Sequence, residues 1–399
     1  MPLGLYISVP FCRTKCSYCN FASDVFSHAA YENYVARVME DIHAAPAAAA
    51  NLGCALPESV DSIYLGGGTP SILQADQLKR IFAAIRGGFQ VVPGAEVTVE
   101  CAPGTLTSTL TDTLLACGVN RVSLGVQSLV DREAQSVGRL HNRATVLEEI
   151  QRLRNAGISN INLDLIAGLP HQTAETWSFS LSEVVATSAP HVSVYMLEVD
   201  EDSRLGRELL AGGTRYHAHF VPDDDAAAAF YLQACETLNA ADIHQYEISN
   251  FSRPGGESRH NLKYWTRQPY LGFGVDAHSM LPLSAGGFLE AVRFSTPDSL
   301  DGFMNRAAGV VSPVSAALAL EESFFLGLRL NRGIDPERLR EDFGQAHFAA
   351  HEAAIEECVR DGLLFREGTR LALTSRGRLL SNEVFGRFLG TGVAGTRSA

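Results

Sequence analysis

Three cysteines lie within eight residues near the start of the chain, in the order Cys12, Cys16 and Cys19. Their spacing is C-x3-C-x2-C, and the apolar, β-prone run Leu5–Val9 comes shortly before them. Thiolates on one tight loop can each bind one iron of a cubane cluster, and a [4Fe–4S] cluster normally takes four cysteines. The spacing therefore predicts a cluster in which one iron is open to a ligand from outside the protein.

The other cysteines form no competing metal site and no disulfide framework. They lie far apart in the sequence, at Cys54, Cys101, Cys117, Cys235 and Cys358. Structural zinc usually takes four ligands, often in C-x2-C pairs, so zinc is not favoured. Scattered thiols are typical of buried cysteines in a reducing compartment, which predicts a cytoplasmic protein. The chain opens without a signal-peptide pattern, and no apolar window of about 18 residues predicts a membrane span.

The composition is that of a folded, acidic protein. Hydrophobic residues make up 46% of the 399 residues, and the net charge is −13. A large negative charge opposes general binding to nucleic acid. The length allows two or three domains, or one large barrel with an appendix, and the charge predicts no binding to nucleic acid.

Short runs rich in Val, Ile, Leu and Tyr alternate with helical patterns over the first half of the chain. The predicted strands are Leu5–Val9, Ser62–Leu65, Glu96–Glu100, Arg121–Val126, Asn160–Ile166 and His191–Leu197. The predicted helices are Tyr31–His43, Ala75–Ile85, Leu106–Leu115, Ala144–Ala156 and Ala174–Val185, and the alanine-rich Ala44–Pro57 predicts a helix end and a surface linker. Six such units predict an α/β fold with a partial (β/α)6, TIM-like barrel. Parallel barrels carry active residues at the carboxyl ends of their strands. The cysteine loop follows the first predicted strand, so it lies at such an end.

The chain divides into four predicted parts. They are the barrel, a connecting region, a small C-terminal α+β domain and a tail, at residues 1–215, 216–310, 311–390 and 391–399 respectively. In the third part, helical patterns over Ala316–Leu328 and Ala349–Asp361 precede a hairpin pattern in Gly362–Thr374, which is typical of a winged-helix-like domain. No helix rich in Arg or Asn precedes the hairpin, so the pattern favours a packing module over DNA binding.

Glycines and polar residues follow the other predicted strands. The second strand runs into Gly66–Pro70, where three glycines either let the backbone approach a ligand closely or form a tight strand-to-helix turn. Glu100 and Asp164 lie at or near the ends of the third and fifth strands, in otherwise apolar runs. Burying a carboxylate without a partner is costly, so these residues predict either a polar ligand pocket or a salt bridge across the barrel mouth. Arg139 is a candidate partner for them or for a carboxylate of a ligand.

Four side chains able to contact a ligand lie in the run His260-Asn-Leu-Lys-Tyr-Trp265, shortly before Gly272–His278. Imidazole ligates haem iron, tyrosine does so less often, and aromatic faces suit a flat macrocycle. The same residues also fit the start of a helix packed against the barrel. The run is therefore consistent with two interpretations, a haem-binding element or a helix start that packs against the barrel.

The cysteine spacing, with Tyr18 directly before the third cysteine, resembles the signature of the radical S-adenosylmethionine (SAM) family. The resemblance implies that Cys12, Cys16 and Cys19 bind a [4Fe–4S] cluster whose open iron is chelated by SAM. It also implies an electron donor, because one electron splits SAM into methionine and a 5′-deoxyadenosyl radical.

From Leu3 to about Phe388 the chain is similar to the family of oxygen-independent coproporphyrinogen oxidase and its relatives. The resemblance implies a radical SAM core barrel, a connecting region and a HemN-like C-terminal domain in the first three parts of the chain. It implies SAM contacts from Tyr6, Tyr18, Gly67, Gly68, Thr69, Glu100, Gln127, Arg139 and Asp164. The HNxxYW element is associated with haem binding in the haem-chaperone branch, which implies haem contacts from His260, Asn261, Tyr264 and Trp265.

Three features separate this chain from the oxidase. The oxidase has a fourth cysteine two residues after the third, where this chain has Phe21. The oxidase also has a longer segment before its cluster, where this chain has eleven residues before Cys12. Glu198 lies near a site at which the oxidase has a small residue beside its second SAM, and a carboxylate there disfavours an anionic porphyrinogen.

The resemblance implies a haem chaperone that binds haem and passes it to an acceptor protein, with the cluster and SAM in a regulatory or redox step. The alternative is an oxygen-independent coproporphyrinogen III oxidase, which decarboxylates coproporphyrinogen III to protoporphyrinogen IX. A third candidate is a radical SAM enzyme that acts on another tetrapyrrole, such as one that opens the haem ring. Phe21 and the short N-terminal segment favour the chaperone, whereas the intact set of SAM residues keeps the enzymes open.

Overall fold

Six parallel strands form the centre of the computed structural model, which describes residues 1–285 and 287–390. The strands are β1 (Leu3–Val9), β2 (Ser59–Gly67), β3 (Gln90–Cys101), β4 (Arg121–Gln127), β5 (Asn160–Ala167) and β6 (His191–Met196). Each strand is hydrogen-bonded in parallel to the next one in chain order. The helices between them are α1 (His28–Asn51), α2 (Ala75–Gly88), α3 (Ser108–Ala116), α4 (Asp131–Ser136), α5 (Arg143–Asn155) and α6 (Ala174–Ala186).

Strands from the second half of the chain extend this sheet at both ends. They are β7 (His244–Gln245), β8 (Asn250–Ser252), β9 (Tyr270–Gly274), β10 (His278–Leu283), β11 (Gly287–Ser295) and β12 (Val311–Val314). The helices of this region are α7 (Arg204–Ala211), α8 (Asp224–Ala240), α9 (Arg259–Trp265) and α10 (Leu300–Met304). The order of the strands is β12-β11-β10-β9-β1-β2-β3-β4-β5-β6-β8-β7, and among the described residues β12 and β7 do not pair. The barrel is therefore partial and open, as predicted.

The predicted strands and helices of the barrel are all present, and several are longer than predicted. The largest difference among the helices is in Ala44–Pro57, for which the sequence predicted a helix end and a surface linker. In the structure α1 continues through this segment to Asn51, with Pro46 inside it. Alanine has the strongest helix propensity, and Ala45 and Ala49 lie buried on the inner side of α1. These contributions outweigh the hydrogen bond that a proline within a helix removes.

Side chains alternate between the two faces of the barrel strands, as the period of two in a strand requires. The outward face is apolar and includes the fully buried Leu5, Ile63, Val99, Leu124 and Leu163. The inward face carries polar and aromatic residues, among them Tyr6, Tyr64, Glu100, Ser123 and Asp164. Burial of each aliphatic side chain stabilises the fold by about 1.5–3 kcal/mol. Because the outward face provides the hydrophobic packing, the inward face can carry polar residues for ligand binding or catalysis.

The C-terminal part has its own hydrophobic core. Its elements are α11 (Ala316–Gly327), α12 (Pro336–Phe343), α13 (Gln345–Arg360), β13 (Leu364–Glu367), β14 (Arg370–Leu373), α14 (Ser375–Leu379) and α15 (Ser381–Gly386). The predicted hairpin is confirmed as β13 and β14, and the predicted tail, residues 391–399, lies outside the described residues. The buried Glu322 accepts from Arg267 and Arg293, each at 2.9 Å, and so joins α11 to the connecting region. No helix in the described ranges is long and apolar enough to cross a membrane.

Candidate functional site

The three cysteines lie on the loop that follows β1, at the carboxyl edge of the parallel strands. Main-chain contacts hold this loop: Cys12 N donates to Asp24 O at 3.0 Å. The Lys15 ammonium donates to the carbonyl oxygens of Phe21 at 2.8 Å and Ser23 at 2.7 Å. The shape of the loop therefore depends on backbone groups and leaves its thiols available.

The loop thiols are free, with Cys16 buried and Cys12 and Cys19 half-buried. Burial raises the pKa of Cys12 and the pKa of Cys19 above the usual range of a thiol. Thr69 Oγ1 lies 3.7 Å from Cys12 Sγ, and an Arg139 nitrogen lies 3.7 Å from Cys16 Sγ. Iron must displace protons from these thiols, and the two donors are placed to stabilise the sulfurs once they are ionised.

This arrangement fits a cluster better than a single metal ion. In the part of the chain that the structure describes, no three His, Cys, Asp or Glu side chains are arranged to hold one ion. A cubane does not need such an arrangement, because each cysteine binds a different iron. Three free thiols on one loop therefore fit a [4Fe–4S] cluster with one iron left for an external ligand.

The glycine run at the end of β2 packs directly on the cysteine loop. Gly68 N donates to Val9 O at 2.8 Å, and Thr69 N donates to Phe11 O at 2.7 Å. A Cβ on Gly68 would lie 2.7 Å from Phe11 O, closer than such atoms approach. Gly67 has a φ of +97°, which favours glycine. The glycines thus form a tight turn, and Gly67 also borders a cavity.

Glu100 and Asp164 lie on the inward face of the barrel, and no salt bridge to either is present within the described residues. Tyr64 OH donates to Glu100 at 2.8 Å, while Ser123 and Asn162 donate to Asp164 at 2.9 and 2.8 Å. Burial, with repulsion from Asp164, raises the pKa of Glu100 to about 7, and burial also raises the pKa of Asp164. Of the two alternatives, the polar pocket fits this geometry and the salt bridge does not.

Arg139 links the cysteine loop to the end of β4. Besides its contact with Cys16, its guanidinium donates to the carbonyl oxygen of Gly125. Gln127 is buried and has a φ of +68°, a conformation that is rare outside glycine and concentrated at functional sites. Tyr18 packs against an apolar cluster between α4 and β5. The predicted SAM residues of these segments therefore converge around the cysteine loop.

A cavity of about 300 Å³ opens beside the glycine turn. Its lining residues are Tyr6, Ser8, Phe21, Ala22, Gly67, Tyr264, Tyr270, Asp276 and His278. It brings together two predicted SAM residues, the residue that replaces the fourth cysteine, and one residue of the predicted haem element. A second cavity, of about 110 Å³, is lined by Thr69 and Arg139 among others, so the predicted SAM residues border two cavities.

His260 lies in the interior and lines neither of these two cavities. Its exposed fraction is 1%. Its Nδ1 is hydrogen-bonded to Ser62 Oγ at 3.0 Å, and its Nε2 to Tyr264 OH at 2.9 Å. Burial, with a smaller contribution from Lys263, lowers the pKa of His260 to about 3. The neutral imidazole has both nitrogens engaged, and it holds Tyr264 in place.

The other residues of the element take up different positions. The Glu96 carboxylate accepts from the backbone N of His260 at 3.0 Å and so fixes the start of α9. Asn261 is half-exposed, and the Trp265 ring stacks on the Arg329 guanidinium, whose carbon lies 4.2 Å from the ring centre. Tyr264 is the member of the predicted haem set that lines the larger cavity.

Tyr270, Asp276 and His278 complete the wall of the larger cavity, and the predicted site does not include them. They lie on β9, on the following turn and at the start of β10. The signal for Asp276 and His278 was the run Gly272–His278, which comes shortly after the HNxxYW element, and no sequence signal pointed to Tyr270. Their position depends on the pairing of β9 with β1, which joins segments more than 260 residues apart.

Comparisons with known proteins agree with this geometry. Residues 6–181 match the radical SAM superfamily, and residues 314–380 match the HemN C-terminal domain. Over 392 residues the chain is 32% identical to the haem chaperone HemW of Bacillus subtilis, covering 96% of this chain and 98% of the relative. The chain belongs to the HemW family. The HemW of Mycobacterium tuberculosis is 33% identical over 398 residues, with 98% and 95% covered.

The fold of this HemW family member also matches a solved structure. Coproporphyrinogen III oxidase (HemN) from Escherichia coli, a radical SAM enzyme, gives a TM-score of 0.81 over 97% of this chain and 90% of that chain, at 22% identity. This likeness shows the radical SAM fold. Family membership confirms the prediction of a [4Fe–4S] cluster and SAM as cofactors, while the assignment of residues to them stays a prediction.

Proposed function

We propose that the chain binds haem and transfers it to an acceptor protein, and that it carries a SAM-liganded [4Fe–4S] cluster. The observation that carries this proposal is the similarity to haem chaperones over nearly the whole chain, such as 30% identity over 97% of both chains for the Lactococcus lactis relative. Phe21 adds support from the structure. Its side chain is 62% exposed and lines the larger cavity, so the site of the oxidase's fourth cysteine carries an aromatic surface suited to a macrocycle.

The proposed sites follow the predicted residues. The cluster ligands are Cys12, Cys16 and Cys19. The SAM contacts are Tyr6, Tyr18, Gly67, Gly68, Thr69, Glu100, Gln127, Arg139 and Asp164. The haem contacts are proposed from the element His260, Asn261, Tyr264 and Trp265, of which Tyr264 lines the larger cavity and is hydrogen-bonded to His260.

The cofactors supply a radical or redox step when SAM is bound and an electron is delivered. The chain's own residues prepare that site: the guanidinium of Arg139 is oriented by Gly125 and is available to a carboxylate. Glu100, whose pKa is raised to about 7 by burial, changes charge near neutral pH and can accept a hydrogen bond from an ammonium group. In this proposal the step regulates haem loading or release.

The partners in this proposal are haem, a haem-accepting protein and an electron donor, in the cytoplasm. The net charge of −13 supports the absence of nucleic acid among them. The free state of all eight cysteines supports a reducing compartment.

The test is an anaerobic titration of the cluster-reconstituted protein with haemin, followed by Soret absorbance. Saturable binding at a single equivalent of haem per chain is the expected result. The same preparation is then incubated with coproporphyrinogen III, SAM and a reductant, and the product porphyrins are measured. Turnover of coproporphyrinogen III without saturable haem binding would replace this proposal with the oxidase.

A further inference from the structure

Arg121 is a buried cation inside the barrel that the proposed sites do not include. It is the first residue of β4 and is 2% exposed, and Ser123, two positions later, donates to Asp164 on the inward face. Side chains two positions apart on a strand share a face, so Arg121 also points into the barrel. Its Nε and Nη2 have no hydrogen-bond partner, and no salt bridge to it is present within the described residues. Burying a charge without compensation is costly, so other groups in the interior must balance it.

Two residues in register with Arg121 also carry unpartnered polar atoms. Thr98 on β3 and Asn160 on β5 are its direct neighbours in the sheet. The Thr98 hydroxyl and the Asn160 amide oxygen are buried, and neither has a hydrogen-bond partner in the part of the chain that the structure describes. Internal water usually satisfies buried polar groups that the protein itself does not. A guanidinium only donates and an amide oxygen only accepts, so water, which does both, fits this layer of the barrel.

A hydrogen-bond network leads from the Arg121 layer to Asp164, one of the proposed SAM contacts. Asn162 Nδ2 donates to Asp164 Oδ1 at 2.8 Å and to Ser123 Oγ at 2.7 Å. Ser123 Oγ donates to Asp164 Oδ2 at 2.9 Å. Asn162 Oδ1 accepts from His191 Nδ1 at 2.6 Å, so the amide is fixed as well. Both oxygens of the Asp164 carboxylate are therefore held by donors on the Arg121 side of the barrel interior.

The charges of the interior make Arg121 the counter-charge of two carboxylates. The groups around Arg121 and Asp164 that titrate or carry charge are Tyr64, Glu96, Glu100, His191, Tyr195, Tyr246 and Glu247. Burial raises the pKa of each tyrosine, and burial with repulsion from Arg121 lowers the pKa of His191, so these four are neutral near neutral pH. Glu247 has Arg329 at 3.5 Å, and Glu96 accepts from the start of α9. Glu100 and Asp164 are left, and Arg121 is the cation that opposes their mutual repulsion.

We propose that Arg121 is a positioning residue of the SAM site, whose charge acts through the water layer, Asn162 and Ser123 to keep Asp164 ionised and oriented. The inference rests on the proposed SAM contact of Asp164 and adds the residue that supports it. An ionised carboxylate only accepts hydrogen bonds, and SAM provides hydroxyl and ammonium donors. A protonated Asp164 would give up one acceptor position, and SAM would then bind more weakly.

The test compares Arg121→Gln, which removes the charge, with Arg121→Lys, which keeps it, and with Thr98→Val. Thr98→Val is the matched control, because it changes the same layer of the barrel and leaves every charge in place. The affinity for SAM is measured by anaerobic equilibrium dialysis of the cluster-reconstituted protein from weakly acidic to alkaline pH. Titration of the Asp164 carboxyl is measured separately in the cluster-free protein, by NMR of carbon-labelled aspartate, with Asp164→Asn to assign the signal.

In Arg121→Gln the Asp164 carboxyl is expected to titrate roughly one pH unit higher than in the wild type, because loss of a nearby opposite charge favours the protonated form. The affinity for SAM should fall by up to roughly ten-fold on the acidic side of this titration, since that difference is a ten-fold change in the proton equilibrium. At alkaline pH the affinity should return to the wild-type value, which a purely structural defect would not allow. Arg121→Lys and Thr98→Val should keep the wild-type pH profile.

Two results would overturn the inference, and both differ from failure of the proposed function. If Arg121→Gln keeps the wild-type affinity at every pH and Asp164 titrates unchanged, Arg121 does not support the site, although SAM still binds. If the affinity falls equally at every pH and Arg121→Lys does not restore it, Arg121 has a structural role only. If the wild type does not bind SAM, the proposed SAM site itself fails.

A double variant keeps the test available if Arg121→Gln does not fold. Glu100→Gln with Arg121→Gln removes one carboxylate together with the cation, so the interior charge stays balanced. It is compared with Glu100→Gln alone, in the cluster-free protein. The Asp164 carboxyl should titrate higher in the double variant, and equal titration in the two proteins would contradict the inference.

Discussion

The cysteine loop and the start of α9 both carry residues able to ligate iron, and they hold them in opposite ways. On the loop, backbone groups and Lys15 provide the stabilising contacts, while Thr69 and Arg139 approach the thiols of Cys12 and Cys16 at 3.7 Å. On α9, the ligand-type side chain is itself the anchor, because both nitrogens of His260 are hydrogen-bonded within the fold. The thiols of the loop are thus open to a metal in this conformation, whereas ligation through His260 would replace one of its two hydrogen bonds.

The largest expected effect is on the loop. Replacing Cys16 with alanine removes one thiolate, so the variant should lose the visible absorbance of the [4Fe–4S] cluster after reconstitution. The thermal unfolding of the cluster-free variant should differ little from that of the cluster-free wild type. Cys235→Ala is the control, because this half-buried thiol lies on α8, away from the loop. An unchanged cluster spectrum in Cys16→Ala would show that the three-cysteine assignment is wrong.

The next largest expected effect is on the free energy of unfolding, through the contacts that hold the start of α9. The Glu96 carboxylate accepts from Arg259 N and His260 N at 3.0 Å, and from Ser258 Oγ at 3.4 Å. Glu96→Ala leaves these donors without a partner and should lower the free energy of unfolding by roughly 3 kcal/mol, measured by denaturant titration of the cluster-free protein. Glu148, exposed on α5, provides the control. Equal stability in Glu96→Ala and Glu148→Ala would mean that α9 is held by other contacts.

The sequence predicted the barrel and the cysteine loop because both depend on local patterns. The strands are short runs rich in Val, Ile, Leu and Tyr that alternate with helical patterns, and the loop ligands lie within eight residues of one another. The glycine turn was also foreseeable, because a run of three glycines directly after a strand leaves few alternatives to close backbone packing. These patterns left open whether the glycines also contact a ligand, which stays a prediction; Gly67 borders the larger cavity.

The orientation of α9 could not be predicted from the sequence, because it depends on contacts between residues far apart in the chain. The hydrogen bond between His260 and Ser62 joins residues 198 positions apart, and the one from Glu96 to the backbone of His260 spans 164. Such pairings follow from the order of strands in the sheet. The cavity residue His278 was missed for the same reason, since β9 becomes a neighbour of β1 only in the folded chain.

Glu100 lies between the cysteine loop and the start of α9. It lies beneath the glycine turn, which packs on the cysteine loop, and it accepts a hydrogen bond from Tyr64. The ring of Tyr64 lies 5.3 Å from that of His260, on α9. Burial, with repulsion from Asp164, raises the pKa of Glu100 from 4.5 to about 7. Between these two values the unfolded chain releases a proton that the folded chain keeps. The stability that Glu100 contributes is therefore fully present below pH 4.5 and is lost as the pH rises to about 7.

The smallest predicted effect is this dependence on pH. The free energy of unfolding of the cluster-free wild type, minus that of Glu100→Gln, should fall by something on the order of 2 kcal/mol as the pH rises from 4.5 to about 7. Asp164 remains in both proteins, so the difference reports Glu100 together with its interaction with Asp164. The exposed-site variant Glu148→Gln should retain the wild-type slope. If the difference were flat over this range, or rose with pH, Glu100 would be ionised in the folded protein near neutral pH, and the pocket beside the glycine turn would already hold a fixed negative charge before any ligand binds.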